Sequence, residues 1–261
     1  MESDPFAVMR TIDDRIALVR ALRDEPLEKR DLIERLDCSR STVNRAVRSL
    51  EELHLIRRRD SEYVLTFPGS ALLAEYERCC SFARTVSENA RTLTNIPVEH
   101  FPDGELFRDA EIICGTPPAP DRPRERFGEL ATGADQIYAL VPSTNTDRVM
   151  ELNHRVVKHD RPTEFVLESE VLEYWLSAHA DTLHESLRSD QLTILLSNET
   201  FPYALALIEN TESAIIVGVC DDSRRLCGLI ISETEPALEW GRNVYQAYRE
   251  KAQVLESLDD S

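Results

Sequence analysis

Residues 40–53, RSTVNRAVRSLEEL, constrain the fold of this chain more than any other stretch, because two incompatible surfaces alternate along them. On a 100° wheel Val43, Ala46, Val47, Leu50 and Leu53 gather on one side, and Arg40, Ser41, Asn44, Arg45 and Arg48 on the other. A helix from Arg40 to about Leu53 satisfies both sets: one face packs and the other stays free. The free face holds no acid until Glu51 and Glu52, and it mixes Arg with Asn and Ser. Those residue types read guanine and adenine edges, or grip phosphate, in a major groove. Ser39 is placed to cap this helix by accepting a bond from an unpaired backbone N–H.

The flanking segments complete a small unit. Ile16, Val19 and Leu22 recur at helical spacing and predict one helix over 12–23, ended by Asp24-Glu25-Pro26. A second helix, from Glu28 to Leu36, buries Leu32, Ile33 and Leu36, and Asp37-Cys38-Ser39 turns the chain into the third. Beyond His54-Leu55-Ile56, the run Arg57-Arg58-Arg59, the turn Asp60-Ser61-Glu62 and the run Tyr63–Phe67 read as strand, turn and strand. Three arginines on such a hairpin lie close to a phosphate backbone, where each neutralised phosphate releases counterion.

Charge supports this division. The chain has a formal charge of −18, which excludes a uniformly basic nucleic-acid binder. Residues 1–66, however, carry 13 basic and 14 acidic side chains, net −1, and leave −17 for residues 67–261. From Cys38 to Arg59 six Arg face two Glu, a local +4.

The segment Asp37-Cys38-Ser39-Arg40-Ser41-Thr42-Val43-Asn44-Arg45-Ala46-Val47-Arg48-Ser49-Leu50, with Leu53-His54-Leu55-Ile56 and the Arg-rich hairpin, resembles the winged helix-turn-helix of prokaryotic transcription regulators. That module joined to a longer acidic α/β region further resembles archaeal, especially halophile, regulators of the methanogenesis-regulator type. The resemblance implies a sequence-specific regulator with double-stranded DNA as partner and a C-terminal sensor domain. Its DNA contacts would be Arg40, Ser41, Asn44, Arg45 and Arg48 in the groove and Arg57, Arg58 and Arg59 on the backbone. A trihelical protein-interaction adaptor is the alternative.

The domains expected are 1–69, a connecting helix 70–95, and an α/β domain 96–261. From Ser70 to Thr94 no Pro or Gly interrupts, and Leu72, Tyr76, Cys79, Ala83, Val86, Ala90 and Leu93 recur at spacings of four and three. This heptad seam either pairs with its copy in a homodimer, the expected arrangement, or packs on its own domain. Beyond Pro97, strands are expected at 111–114, 136–141, 164–167, 192–196, 203–208, 214–220 and 226–232. Helices are expected at 122–132, 146–159, 168–188 (broken near His179) and 235–258. The early strands read as parallel and the late ones as an antiparallel meander with a hairpin at Asp221–Arg225.

No glycine-rich phosphate loop, nucleophile elbow or metal-ligand spacing appears among the eight glycines and six histidines. No catalytic residue, metal or cofactor is therefore expected, and an enzyme is the weakest reading. The six scattered cysteines read as thiols. An acidic start and the lack of an apolar run of about 18 residues point to a cytoplasmic protein with no membrane partner. The acid-rich, Lys-poor composition, 27 Arg against 3 Lys, fits life in concentrated salt, although genome base composition produces the same bias. In open α/β sheets small ligands sit at the carboxyl ends of strands. Thr116, Thr144, Asn145, Thr146 and Asn198, in loops that follow strands, are the candidates to hold a small anionic metabolite.

Overall fold

The computed structural model describes residues 4–100, 104, 106, 109–142, 161–188 and 191–255, and the fold is mixed α and β. The chain divides into two units, Met1–Arg84 and Thr85–Ser261.

In the first unit the elements run α1 (Pro5–Asp14), α2 (Ile16–Asp24), β1 (Leu27–Glu28), α3 (Lys29–Leu36), α4 (Arg40–Glu52), β2 (Ile56–Arg59), β3 (Glu62–Leu65) and α5 (Phe67–Glu88). The helix expected over 12–23 is in fact two, broken at Arg15 (φ −121°, ψ 16°). No Pro or Gly marks that break, because tertiary packing sets it: Ile12 buries from α1, and Leu18, Val19, Ala21 and Leu22 bury from α2. A capping box between Glu28 and Asp31 opens α3, and Asp37, at φ 45°, ends it. The three strands form an antiparallel sheet in the order β1-β3-β2.

The first part of α5 belongs to this unit. The Thr66 hydroxyl lies 2.7 and 3.0 Å from the carbonyls of His54 and Leu55, to which it donates, and it accepts from the Gly69 N–H at 3.2 Å. A Cβ on Gly69 would stand 2.0 Å from the Leu55 oxygen, so only glycine admits this approach. Leu73 is buried in the core, and Leu72 and Tyr76 pack against it. Glu77 accepts from Arg20 and Arg23 at 2.8 and 3.0 Å, and the Tyr76 hydroxyl donates to Asp13, which together with Cys80 raises the tyrosine pKa.

The connecting helix departs from expectation. It ends at Glu88, and a separate turn, α6 (Ala90–Leu93), follows. Asn89 sits at the break, where its amide donates to the Thr85 carbonyl at 2.8 Å and its side-chain oxygen accepts from the Cys114 thiol at 3.2 Å. Such side-chain bonds compete with the helix ladder. The seam is also spent differently at its two ends: Leu72 and Tyr76 pack in the first core, Leu93 packs in the second unit, and Cys79 and Ala83 are exposed.

The second unit continues with β4 (Glu111–Cys114), α7 (Arg122–Gly133), β5 (Gln136–Val141), β6 (Thr163–Glu168), α8 (Ser169–Leu187), β7 (Leu192–Ser197), β8 (Ala204–Glu209), β9 (Ala214–Cys220), β10 (Leu226–Ser232), α9 (Glu235–Arg249) and β11 (Gln253–Val254). One sheet holds eight strands in the order β11-β7-β6-β5-β8-β9-β10-β4. β5, β6 and β7 are parallel, as expected, and β8, β9 and β10 form the antiparallel meander. Asp221 closes the β9–β10 turn by accepting from the Ser223 and Arg225 N–H groups.

Two expectations fail here. β4, read among the parallel strands, pairs antiparallel with β10 at the far edge. The closing helix, read to 258, stops at Arg249, and the chain then adds β11 antiparallel to β7, since pairing with an exposed sheet edge satisfies its backbone groups. α8 does kink at His179 (φ −142°). The helix expected at 146–159 lies outside the described residues. The sheet carries a core on each face: Phe127 and Leu130 of α7 with Val171, Leu172 and Trp175 of α8 on one, Ala237, Leu238 and Tyr245 of α9 on the other.

Candidate nucleic-acid interface

α4 forms where the sequence places it, and its two faces separate. Ser39 caps it by accepting from the Thr42 N–H at 3.2 Å, a contact worth about 1 kcal/mol. Val43, Ala46, Val47 and Leu50 are all buried, and each of the larger three contributes about 1.5–3 kcal/mol. Arg40, Ser41, Asn44, Arg45 and Arg48 are all exposed.

Arg40 and Arg45 have no acidic partner among the described residues, while Arg48 holds Glu52 at 2.9 Å with both side chains well exposed. An ion pair of that kind is worth about 0–1 kcal/mol and yields readily to a better acceptor.

Hairpin register sorts the three arginines that follow. Arg57 pairs with Val64, Arg58 with Tyr63 and Arg59 with Glu62. Alternation along the strand puts Arg57 and Arg59 on one face, and Arg58 on the other beside buried Ile56 and Tyr63. Arg58 also donates from Nε to the Asp60 carbonyl at 2.9 Å, at the turn where Asp60 takes φ 57°. All three remain exposed. None of the three has an acidic partner among the described residues, and Arg58 alone also braces the tip of the hairpin.

The candidate ligand residues do not come together. Thr116 follows β4, in a turn bridged to Ala119, and Asn198 follows β7; both are exposed. Six strand spacings separate β4 from β7 in the sheet order, about 29 Å, so one small molecule does not touch both. Thr144, Asn145 and Thr146 lie outside the described residues. At the carboxyl end of β6 the buried Glu168 is already saturated: it accepts from the Phe201 N–H at 2.7 Å and from Arg224 at 2.7 and 2.6 Å. Ser197, at the end of β7, is occupied by the Glu199 backbone.

Among the described residues no His, Cys, Asp and Glu cluster suits a metal ion, and no helix is long and apolar enough to cross a membrane. Burial pushes the Cys220 thiol up to about 11 and raises that of Cys227.

A comparison with curated proteins found no match. Among solved structures, the chain is similar to TrmBL2, an archaeal chromatin protein described as showing a novel mode of DNA binding, at 12% identity and TM-score 0.45, over 97% of this chain and 100% of that one. It is also similar to NucT from Helicobacter pylori (10%, TM-score 0.43, 56% of this chain and 99% of that one). A phospholipase D family member, Nuc from Salmonella typhimurium, gives 10% and 0.43, over 57% and 100%. Residues 4–88 match the HVO_A0261 N-terminal domain. Residues 120–251, just over half of the chain, match the middle domain of the methanogenesis regulatory protein FilR1, and the chain belongs to that family.

Proposed function

We propose that this chain is a cytoplasmic, sequence-specific DNA-binding transcription regulator that works as a homodimer and has no catalytic activity of its own. Its first unit acts as a winged helix-turn-helix, with α4 in the major groove and the β2–β3 hairpin as the wing. Its second unit binds a small effector. One observation carries the DNA reading: inside a chain of charge −18, an exposed helix face of Arg40, Ser41, Asn44, Arg45 and Arg48 bears no acid until its last turn, beside a hairpin whose three arginines have no acidic partner among the described residues. Membership in a family named for a regulatory protein agrees with it. The dimer reading draws on the exposed Cys79 and Ala83 of the α5 seam, and on the two-fold symmetry that a pair of recognition helices imposes on an operator.

Genomic DNA fragments retained by the full chain and then sequenced test the proposal. A recurring, pseudo-palindromic motif is expected; an adaptor would enrich none. On that motif Arg45→Ala should relax base preference and cost about 1–3 kcal/mol, read as a gel-shift ratio between the motif and a scrambled duplex. An unchanged ratio in both Arg45→Ala and Arg48→Ala overturns the assignment of α4.

A further inference from the structure

Where α9 crosses the amino-terminal ends of β5, β6 and β7, a row of polar side chains meets the sheet beside the apolar contact made by Val244, Tyr245 and Tyr248. The first turns of α9 pack in the ordinary way, with Ala237 and Leu238 buried and Gly241 so close to the sheet that a Cβ would strike Ile215. Further on, one edge of the helix carries Arg242, Tyr245, Gln246 and Arg249 at spacings of three and four, with Tyr245 buried and Arg242 and Gln246 exposed. Beneath it the register aligns Thr193, Glu164, Tyr138 and Leu207 in one row across four strands, with Gln136 opposite Glu209 in the next. Between helix and floor lies a cavity of about 460 Å³, within the range of small-molecule sites.

Half of its charge is already committed. Glu164 accepts from Arg249 at 2.6 and 3.1 Å and from the Tyr245 hydroxyl at 2.6 Å, a closed arrangement that fixes one wall. The other half is held only loosely. Glu209 has no ion pair among the described residues, and the partner of Arg242 is Glu235, at 3.1 Å with side chains 46% and 76% exposed, a pair that water and salt weaken. The cavity therefore offers one available carboxylate and one available guanidinium, on a wall whose own charges cancel. Tyr138 and Tyr245, with ring centroids 5.5 Å apart, and Leu207 supply apolar surface between them.

We infer that this cavity binds a small zwitterion of the α-amino acid class, its carboxylate on Arg242 and its ammonium on Glu209. A simple carboxylate would leave Glu209 facing a negative charge, a simple amine would leave Arg242 facing a positive one, and a polyphosphate would meet two carboxylates in the site. The inference deepens the effector role proposed for the second unit and relocates it, from the carboxyl ends of the parallel strands to their amino ends.

The test is titration calorimetry of the full chain, without DNA, against the common L-amino acids, with three controls for each binder: the acid lacking its amine, the amine lacking its carboxylate, and glucose. At least one amino acid should bind, with affinity about tenfold or more weaker when either charged group is removed and in each of Glu209→Gln and Arg242→Gln, a loss expected when one partner of a charged hydrogen bond is removed. Circular dichroism melts of the two variants verify that they fold. Failure of every amino acid to bind, equal affinity for the deaminated acid, binding of glucose alone, or binding indifferent to both substitutions overturns the inference. A chain that binds an amino acid but enriches no DNA motif fails only the DNA reading, and one that enriches a motif but binds no amino acid fails only this one.

Discussion

Arg57, Arg58 and Arg59 are indistinguishable by composition, yet one residue of register separates their roles. Arg57 and Arg59 share a hairpin face and hold no acidic partner, while Arg58 spends its Nε on the Asp60 carbonyl. On the proposed interface, therefore, Arg57→Ala and Arg59→Ala should each weaken every DNA sequence alike and lower the slope of log affinity against log salt by about 1, as expected when one phosphate contact is lost. Arg58→Ala should leave that slope nearly unchanged and act on hairpin stability instead. Gel shifts across a salt series measure both, and slopes that stay at that of the unaltered chain in all three variants would put the hairpin away from the backbone. The sequence shows a cationic run; only the strand pairing shows that Arg58 lies on the other hairpin face from Arg57 and Arg59.

At the scale of elements, legibility followed how locally each was determined. α4 could be read because a single helix carries its own cap, its apolar stripe and its free face, from Ser39 to Leu50. The three parallel strands were legible as short apolar runs between turns. The rest depends on distant contacts, which no local pattern encodes: the break at Asn89 involves Cys114, β4 finds its partner in β10, and β11 forms because β7 offers an open edge. The polar stripe of α9, Arg242, Tyr245, Gln246 and Arg249, carries no local signal of a site, because only the pairing of distant strands sets Glu164, Tyr138 and Glu209 beside it. That stripe also anchors the helix in a way that depends on pH. Burial alone would raise the Glu164 pKa, yet the hydrogen bonds from Arg249 and Tyr245 outweigh it, and the carboxyl titrates below its ordinary value. A depressed folded pKa stabilises the fold above the unfolded value, and the contribution disappears as pH falls through the folded one. Glu164→Gln should thus cost about 1 kcal/mol near neutrality, at the low end for a charged hydrogen bond because Arg249 is partly exposed, and the difference from the unaltered chain should close on acidification. Denaturant melts of both chains across the acid range check this, and parallel stability curves would show that the pair contributes nothing.

Across the whole molecule the charge is unbalanced, −17 over residues 67–261 against −1 over residues 1–66, and salt should act on the two in opposite directions. Raising ionic strength from roughly 0.1 to 1 M shortens the screening length from about 10 to about 3 Å. Repulsion among like charges spread over the acidic domain acts across the longer distances and is removed first. Contact ion pairs such as Arg225 with Asp221, at 3.0 Å, lie within the shorter length and keep most of their small value. Salt should therefore raise the melting temperature of the chain, because the folded state concentrates the repelling charges more than the unfolded one does. DNA affinity should move the other way, falling by about 0.9 in the log–log slope for each phosphate neutralised. On the proposed DNA reading, a working range is then expected in which the acidic domain is firm and the arginines still hold DNA, with discrimination resting on the short-range contacts of Asn44, Arg45 and Arg48. Melting temperature and gel-shift affinity followed over one potassium chloride series decide the matter. A melting temperature that falls with salt would mean that attractive pairs, and not the net charge, dominate the electrostatics of the fold, and the salt optimum would have to be sought at the low end.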